Sequence, residues 1–204
     1  MASELSNEPA LIAAARRGNL NAFNTLVLHY QDRVYSFAYR ILGESAASAD
    51  AAQEAFITAY RRLDTYRGGS FRAWLFRIVS NLCYDELRRR RRRPTSALDD
   101  LPGGETDDGP AIPAADLTPE QAVQQRELLR AIEQCIDGLQ MDQRLVILLS
   151  DVEGMNYQEI AEITGANLGT VKSRLSRARS GVRSCLQAVK ELLPSSYRLK
   201  DKSE

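Results

Sequence analysis

One stretch in the middle of the chain, PTSALDDLPGGETDDGPAIPAADLT (residues 94–118), constrains what the remainder can fold into. It holds four prolines and three glycines and shows little apolar periodicity. Such a composition cannot bury enough apolar surface to offset the entropy of ordering the chain. It therefore reads as a flexible linker, and it leaves two domains, residues 1–93 and 119–193, each within the size range of small autonomous domains. The last residues, PSSYRLKDKSE (194–204), read as a disordered tail.

Both flanking domains read as all-α. PALIAAARRG is rich in alanine and stops at Gly18. Phe23, Leu26, Val27, Tyr30, Val34 and Phe37 repeat at helical spacing, and Gly43 is placed to end that helix. A third helix spans SAASADAAQEAFITAYRRLDTY, with Ser45 or Ser48 available near its start. Tyr66–Ser70 breaks the pattern as a glycine-containing loop, and FRAWLFRIVSNLCYDELRRRRRR forms a fourth helix ended by Pro94. Trp74, in register with Leu75 and Ile78, reads as core. The second domain opens with Thr118, Pro119 and Gln121 in capping-box spacing, followed by the short apolar helix MDQRLVILLSDVEG. No strand pattern stands out.

Charge is segregated although it sums to zero. Residues 1–93 hold fifteen Lys and Arg against nine Asp and Glu, and six of those bases are the run Arg88–Arg93. Residues 94–118 hold six acids and no base, whereas residues 169–183 hold five bases and no acid. Such sign asymmetry points to polyanion-binding faces that the overall pI conceals.

The basic segment has a recognisable framework. NYQEIAEITG reads as a helix capped by Asn156 with Glu159 three residues on, and Gly165 ends it. A short turn follows, and Thr170 is placed to cap the next helix. There Val171, Leu175, Ala178 and Val182 form one apolar stripe, while Lys172, Ser176, Arg179 and Arg183 lie on a neighbouring face that Ser173 and Arg177 extend. Helix, tight turn and basic second helix make a helix-turn-helix, whose second helix enters the DNA major groove. The alternative is a helical hairpin with a solvated cationic face.

Other chemistries find little support. There is no phosphate-binding glycine loop, nucleophile elbow or metal-ligand spacing, so neither an enzyme nor a metal or other cofactor is expected. No apolar run is long enough to span a bilayer, and the N-terminus lacks the pattern of a signal peptide. Cys83, Cys135 and Cys185 read as three reduced thiols of a cytoplasmic protein. His29 has no evident partner for catalysis.

With these residues in view, YQEIAEITGANLGTVKSRLSRAR resembles region 4, the promoter-reading part of the extracytoplasmic-function (ECF) sigma factors of the sigma-70 family. ADAAQEAFITAYRRLDTYRGGSFRAWLFRIVSNLCYDELRRRRRR is similar to that family's region 2, with Asp50, Gln53, Glu54, Phe56, Trp74, Leu75, Asn81, Asp85 and Arg88 in matching places. Where the family often has Asp-Ala-Glu-Asp, this chain has Ala47-Ser48-Ala49-Asp50.

The resemblance implies a factor that brings core RNA polymerase to promoter DNA. Asp50, Gln53 and Glu54 would dock on the polymerase. Tyr66, Arg67, Ser70, Phe71, Asn81 and Asp85 would capture and melt the −10 element, with Arg88, Arg89 and the rest of the run to Arg93 as a cationic end. Lys172, Ser173, Ser176 and Arg177 would read −35 base edges, and Thr170, Arg174 and Arg179 would hold phosphates. The linker would shield the DNA-binding faces, thread a basic channel of the polymerase, or serve only as a tether. The family also implies an anti-sigma factor as a partner. An ordinary helix-turn-helix regulator would differ in binding duplex DNA without polymerase.

Overall fold

The computed structural model describes residues 5, 7–92 and 118–188. The expected linker up to residue 117, the expected tail and Arg93 lie outside the described residues. Among those described, no strand forms. The residues divide into two compact units.

In the first unit, α1 (Glu8–Arg16) leads into α2 (Leu20–Leu42), α3 (Ser45–Arg61) and α4 (Phe71–Arg92). Asn19 caps α2 by accepting from Ala22 N, and Gly43 closes it at φ 70°, a conformation that costs glycine least. Helix α3 presents only small side chains inward, Ser48, Ala52, Ala55 and Ala59. Its neighbours can therefore approach closely, and α2 and α4 pack on either side of it. Leu26, Val34, Phe37, Leu75, Phe76 and Val79 are each at most 1% exposed and form the centre. Full burial of one such Leu or Phe is worth about 1.5–3 kcal/mol. Neither serine expected at the start of α3 caps it. The cap position is Glu44, and the buried Ser48 hydroxyl instead donates to the Glu44 carbonyl at 2.5 Å.

The second unit contains α5 (Pro119–Asp137), α6 (Met141–Ile147), α7 (Tyr157–Thr164) and α8 (Leu168–Ala188). The Thr118–Gln121 capping box forms with both reciprocal hydrogen bonds. The apolar segment after Met141 does not stay α-helical. It widens into a π turn over Leu148–Val152, closed by Glu153 N donating to Leu148 O at 2.9 Å.

Two expectations are corrected in this unit. Asn167, and not Thr170, caps α8: its side chain accepts from Thr170 N at 2.8 Å, which puts Thr170 in the first turn. Cys135 and Cys185 are not reduced thiols either, because they are bonded to each other across α5 and α8. The spacing of isolated cysteines carries no information about which helices will meet. A cross-link closing a loop of 50 residues restricts the unfolded chain by about 4 kcal/mol in the chain-entropy account. Cys83 remains a free, buried thiol, and burial pushes its pKa up to about 12.

Candidate nucleic-acid and polymerase interfaces

The basic helix α8 sorts its side chains cleanly. Val171, Leu175 and Ala178 are buried, and Lys172, Ser173, Ser176, Arg177 and Arg179 are exposed on the other side. Helix α7 begins as expected. Asn156 Oδ1 accepts from Glu159 N, and Glu159 Oε2 accepts from Asn156 N, both at 3.0 Å. Gly165 then turns the chain at φ 65°. Helix, turn and second helix are therefore all in place.

The cations of α8 are not equivalent. Arg179 holds Asp151 with two parallel hydrogen bonds, Nη2 to Oδ1 at 2.6 Å and Nε to Oδ2 at 3.0 Å. Arg174 pairs with Asp142, and the Ser173 hydroxyl donates to Thr170 O at 3.0 Å. Two acids preceding the helix-turn-helix thus hold two of the arginines from the sides, a role that counting charges along α8 could not reveal. Lys172, Ser176 and Arg177 lie between them on the exposed face.

The Arg179 hydrogen bonds, aided by one from Ser150, hold the Asp151 carboxyl below the usual carboxylate range although partial burial opposes them. A depressed acid contributes stability that is present above its unfolded pKa and lost as pH falls through the folded one. The Asp151 contribution is thus intact at neutral pH, begins to fade below about pH 4 and is lost as pH falls through the lowered folded value. Asp151→Asn should lower the urea midpoint at pH 7 and narrow the difference between midpoints at pH 7 and pH 3. The comparison of those two differences, wild type against variant, checks the prediction.

In the first unit, the loop before α4 is shaped by aromatic side chains. Tyr66 is 8% exposed, and its hydroxyl donates to Gly69 O at 2.7 Å. Burial and the nearby Glu8 carboxylate raise the Tyr66 pKa, which keeps the donor proton in place. The Tyr66 ring meets Phe71 and Trp74 at centroid distances of 5.6 Å. Gly68 and Gly69 run at φ near 90°, where a side chain would be strained. Arg67 is exposed, and Ser70 caps α4 by accepting from Ala73 N at 3.1 Å. Phe71 is 2% exposed and so belongs to the core that supports the loop. Trp74, expected in the core, is half-buried.

Along α4, Asn81, Asp85, Arg88 and Arg92 are exposed at helical spacing. Arg77, four residues before Asn81, is exposed on the same row. Sequence pattern alone does not set it apart, although its i−4 spacing to Asn81 puts it on that row.

The arginine run divides in two. Arg89 holds Glu86 with two hydrogen bonds, at 2.7 and 3.0 Å. Arg90 reaches Glu86 at 2.9 Å, Glu44 at 2.6 Å and the Leu42 carbonyl at 3.3 Å. These contacts hold the Glu86 carboxyl below its ordinary range and tie the end of α4 to the α2–α3 junction. Arg88 lies 3.6 Å from Asp85 with both side chains open to solvent, a pair worth little. Arg91 and Arg92 are exposed.

On α3, Asp50, Gln53 and Glu54 are all exposed and share one face, being i, i+3 and i+4.

A small helical module with an acidic-polar face and a cationic helix, together with a helix-turn-helix module, defines a two-part DNA-binding protein. Residues 26–93 match the family model Sigma-70 region 2, and residues 129–180 match Sigma-70, region 4. The ECF RNA polymerase sigma-E factor of Escherichia coli strain K12 is 37% identical over 182 residues, 88% of this chain and 94% of that protein. The ECF RNA polymerase sigma factor SigE of Mycolicibacterium smegmatis is 35% identical over 187 residues, 90% of this chain and 70% of its own length. Among solved structures, CnrH in complex with the cytosolic domain of CnrY superposes with a TM-score of 0.64 at 27% identity, covering 90% of this chain and 99% of that one. The sigma factor RpoE of Bartonella quintana, solved with the anti-sigma factor NepR, gives 0.62 at 26% identity, covering 80% and 96%. This chain belongs to the sigma-70 family, in its extracytoplasmic-function branch.

Proposed function

We propose that the chain directs core RNA polymerase to promoters, with residues 1–93 and 119–193 as its two working domains and 94–118 as the tether between them. Asp50, Gln53 and Glu54 grip the polymerase. The loop Tyr66–Ser70 and the exposed row of α4 handle the −10 element: Arg67, Asn81, Asp85 and Arg88 make contacts, and Tyr66, Ser70 and Phe71 hold the loop in shape. Unstacking a base costs a few kcal/mol, which a pre-shaped loop with polar side chains can offset. Lys172, Ser173, Ser176 and Arg177 read −35 base edges in the major groove. Thr170 lies at the start of α8, where backbone N–H groups favour a phosphate. Arg174 and Arg179 reach phosphates by exchanging Asp142 and Asp151, and until then those acids keep α8 oriented.

The observation that carries this reading is the order of the two matched regions, each presenting an exposed cationic helix. The protein works in the cytoplasm, where the polymerase is, and initiates transcription without a catalytic site of its own. An anti-sigma factor is its regulatory partner, a reading supported by the complex of the Bartonella quintana RpoE with the anti-sigma factor NepR. Pull-down with core polymerase, followed by run-off transcription from a library of random promoters, tests the proposal. Core polymerase that the protein neither binds nor enables to start at any template would refute it.

The division of the arginine run yields a sharper expectation. Each phosphate neutralised steepens the dependence of log K on log salt by about 0.9. Arg91→Gln with Arg92→Gln should therefore flatten the holoenzyme's promoter-binding salt slope by about 2. Arg90→Gln should leave the slope almost unchanged and lower the stability of the first unit, because its partners are Glu86, Glu44 and Leu42 O. Anisotropy titrations of a labelled promoter across a salt series measure both.

A further inference from the structure

Two of the three cysteines in this chain are brought together in the second unit. Cys135 lies in the last turn of α5 and is 3% exposed. Cys185 lies in the last turn of α8 and is half-buried. They are bonded, with their Cα atoms 5.6 Å apart. Cys83, in the first unit, is fully buried, and burial keeps its thiol protonated at neutral pH, so it does not compete in exchange chemistry.

The position of the bond gives it leverage. The first half of α8 is seated by Val171, Leu175 and Ala178, all buried. From Gly181 to Ala188 no residue is fully buried: Gly181 sits against Leu139, and Val182 and Leu186 are half-buried, so the apolar seat under the second half is shallower than under the first. The tie between α5 and Cys185 holds that second half. Proteins that act on the transcription machinery work where cellular thiols keep cysteines reduced, and a disulfide there is typically transient and redox-sensing.

The geometry points to a thiol–disulfide exchange site at Cys135–Cys185, whose reactant is a small thiol and whose state sets how tightly α8 binds duplex DNA. Its effect on DNA rests on the −35 reading of α8, whereas its chemistry does not. A small thiolate attacks Sγ of Cys185, the more exposed sulfur. The Sγ–Sγ bond breaks, and Cys135 leaves as a thiolate and takes up a proton. A second small thiolate attacks the mixed disulfide and releases Cys185, which is protonated in turn. Two small thiols are oxidised to one small disulfide, and the protein disulfide is reduced to two thiols. The same small disulfide drives the reverse reaction.

The test uses the full chain, purified without reductant, with dithiothreitol as the probe. Peptide mapping should find Cys135 linked to Cys185 and the link lost with reductant. Reduction should lower the melting temperature of the second unit by about 10 °C or more. It should also weaken binding to a −35 duplex by about fivefold or more, because a loosened end of α8 adds an ordering cost to binding. Cys185→Ser, and separately Cys135→Ser with Cys185→Ser, should match the reduced protein and ignore dithiothreitol. Two results would overturn the proposal: both cysteines alkylated in the native, air-exposed protein, or a duplex affinity that reduction leaves within twofold. A −35 duplex bound by neither redox form would defeat the −35 reading instead. The exchange site would then stand if reductant lowers the melting temperature of the wild-type chain and of neither variant, and fall if it does not.

Discussion

Arg177→Ala should lower transcription from −35-dependent promoters by about 5- to 150-fold, the range that follows from losing one base contact of about 1–3 kcal/mol. The side chain is exposed in the middle of the outward face of α8, and the buried stripe Val171, Leu175 and Ala178 is on the opposite side. The substitution therefore leaves the helix seated. Polymerase binding should stay intact, because the proposed grip lies on α3 in the other unit. Run-off transcription from paired templates, one with its −35 element and one with that element scrambled, gives the measurement. The wild-type protein distinguishes the pair and the variant does not. A variant that kept full selectivity between the templates would remove Arg177 from the reading surface. Arg179→Ala provides the internal contrast. Its guanidinium is engaged with Asp151, so its loss should act through the orientation and stability of α8, with a uniform reduction across promoters.

Reversing the charge on α3, with Asp50→Lys and Glu54→Lys together with Gln53→Ala, should reduce association with core polymerase more than about 100-fold. Like charges brought together across an interface cost several kcal/mol, and truncating a central contact adds to that. All three side chains are exposed, and the inner face of α3 is made by Ser48, Ala52, Ala55 and Ala59, so the helix itself is preserved. Binding of the −35 duplex by the second unit should be unchanged. Surface binding of core polymerase to immobilised protein, with circular dichroism as a control for folding, separates loss of grip from loss of structure. Retained polymerase affinity in the folded variant would place the docking surface elsewhere.

These expectations rest on features of unequal legibility. The helices were visible in the chain because apolar residues recur at a period only an α-helix places on one side. Two capping boxes, at Thr118 and Asn156, were visible because the local spacing of a hydroxyl or amide and a Glu or Gln is itself the mechanism. The cap of α8 is not legible in the same way, since Asn167 and Thr170 are both competent and only the path of the turn decides which backbone N–H lies in reach. The aromatic ring of Phe71 suits contact with an unstacked base. Its burial at 2% exposure makes it a support for the loop.

Local pattern was sufficient for the helical class, the division around the proline- and glycine-rich stretch, and the identity of the basic helix, because each depends on residues within a few turns of one another. Pairings at long separation were decided by the folded chain alone: Arg179 with Asp151, Arg90 with Glu44, and Cys135 with Cys185, which lie 28, 46 and 50 residues apart. A charge or a thiol in a sequence states what a residue can do, and packing determines which partner comes within reach. The six arginines look alike as letters. Among the five described, Arg90 reaches the α2–α3 junction and Arg89 holds Glu86 of its own helix, whereas Arg88, Arg91 and Arg92 face solvent, and that difference exists only once α4 has settled against the junction.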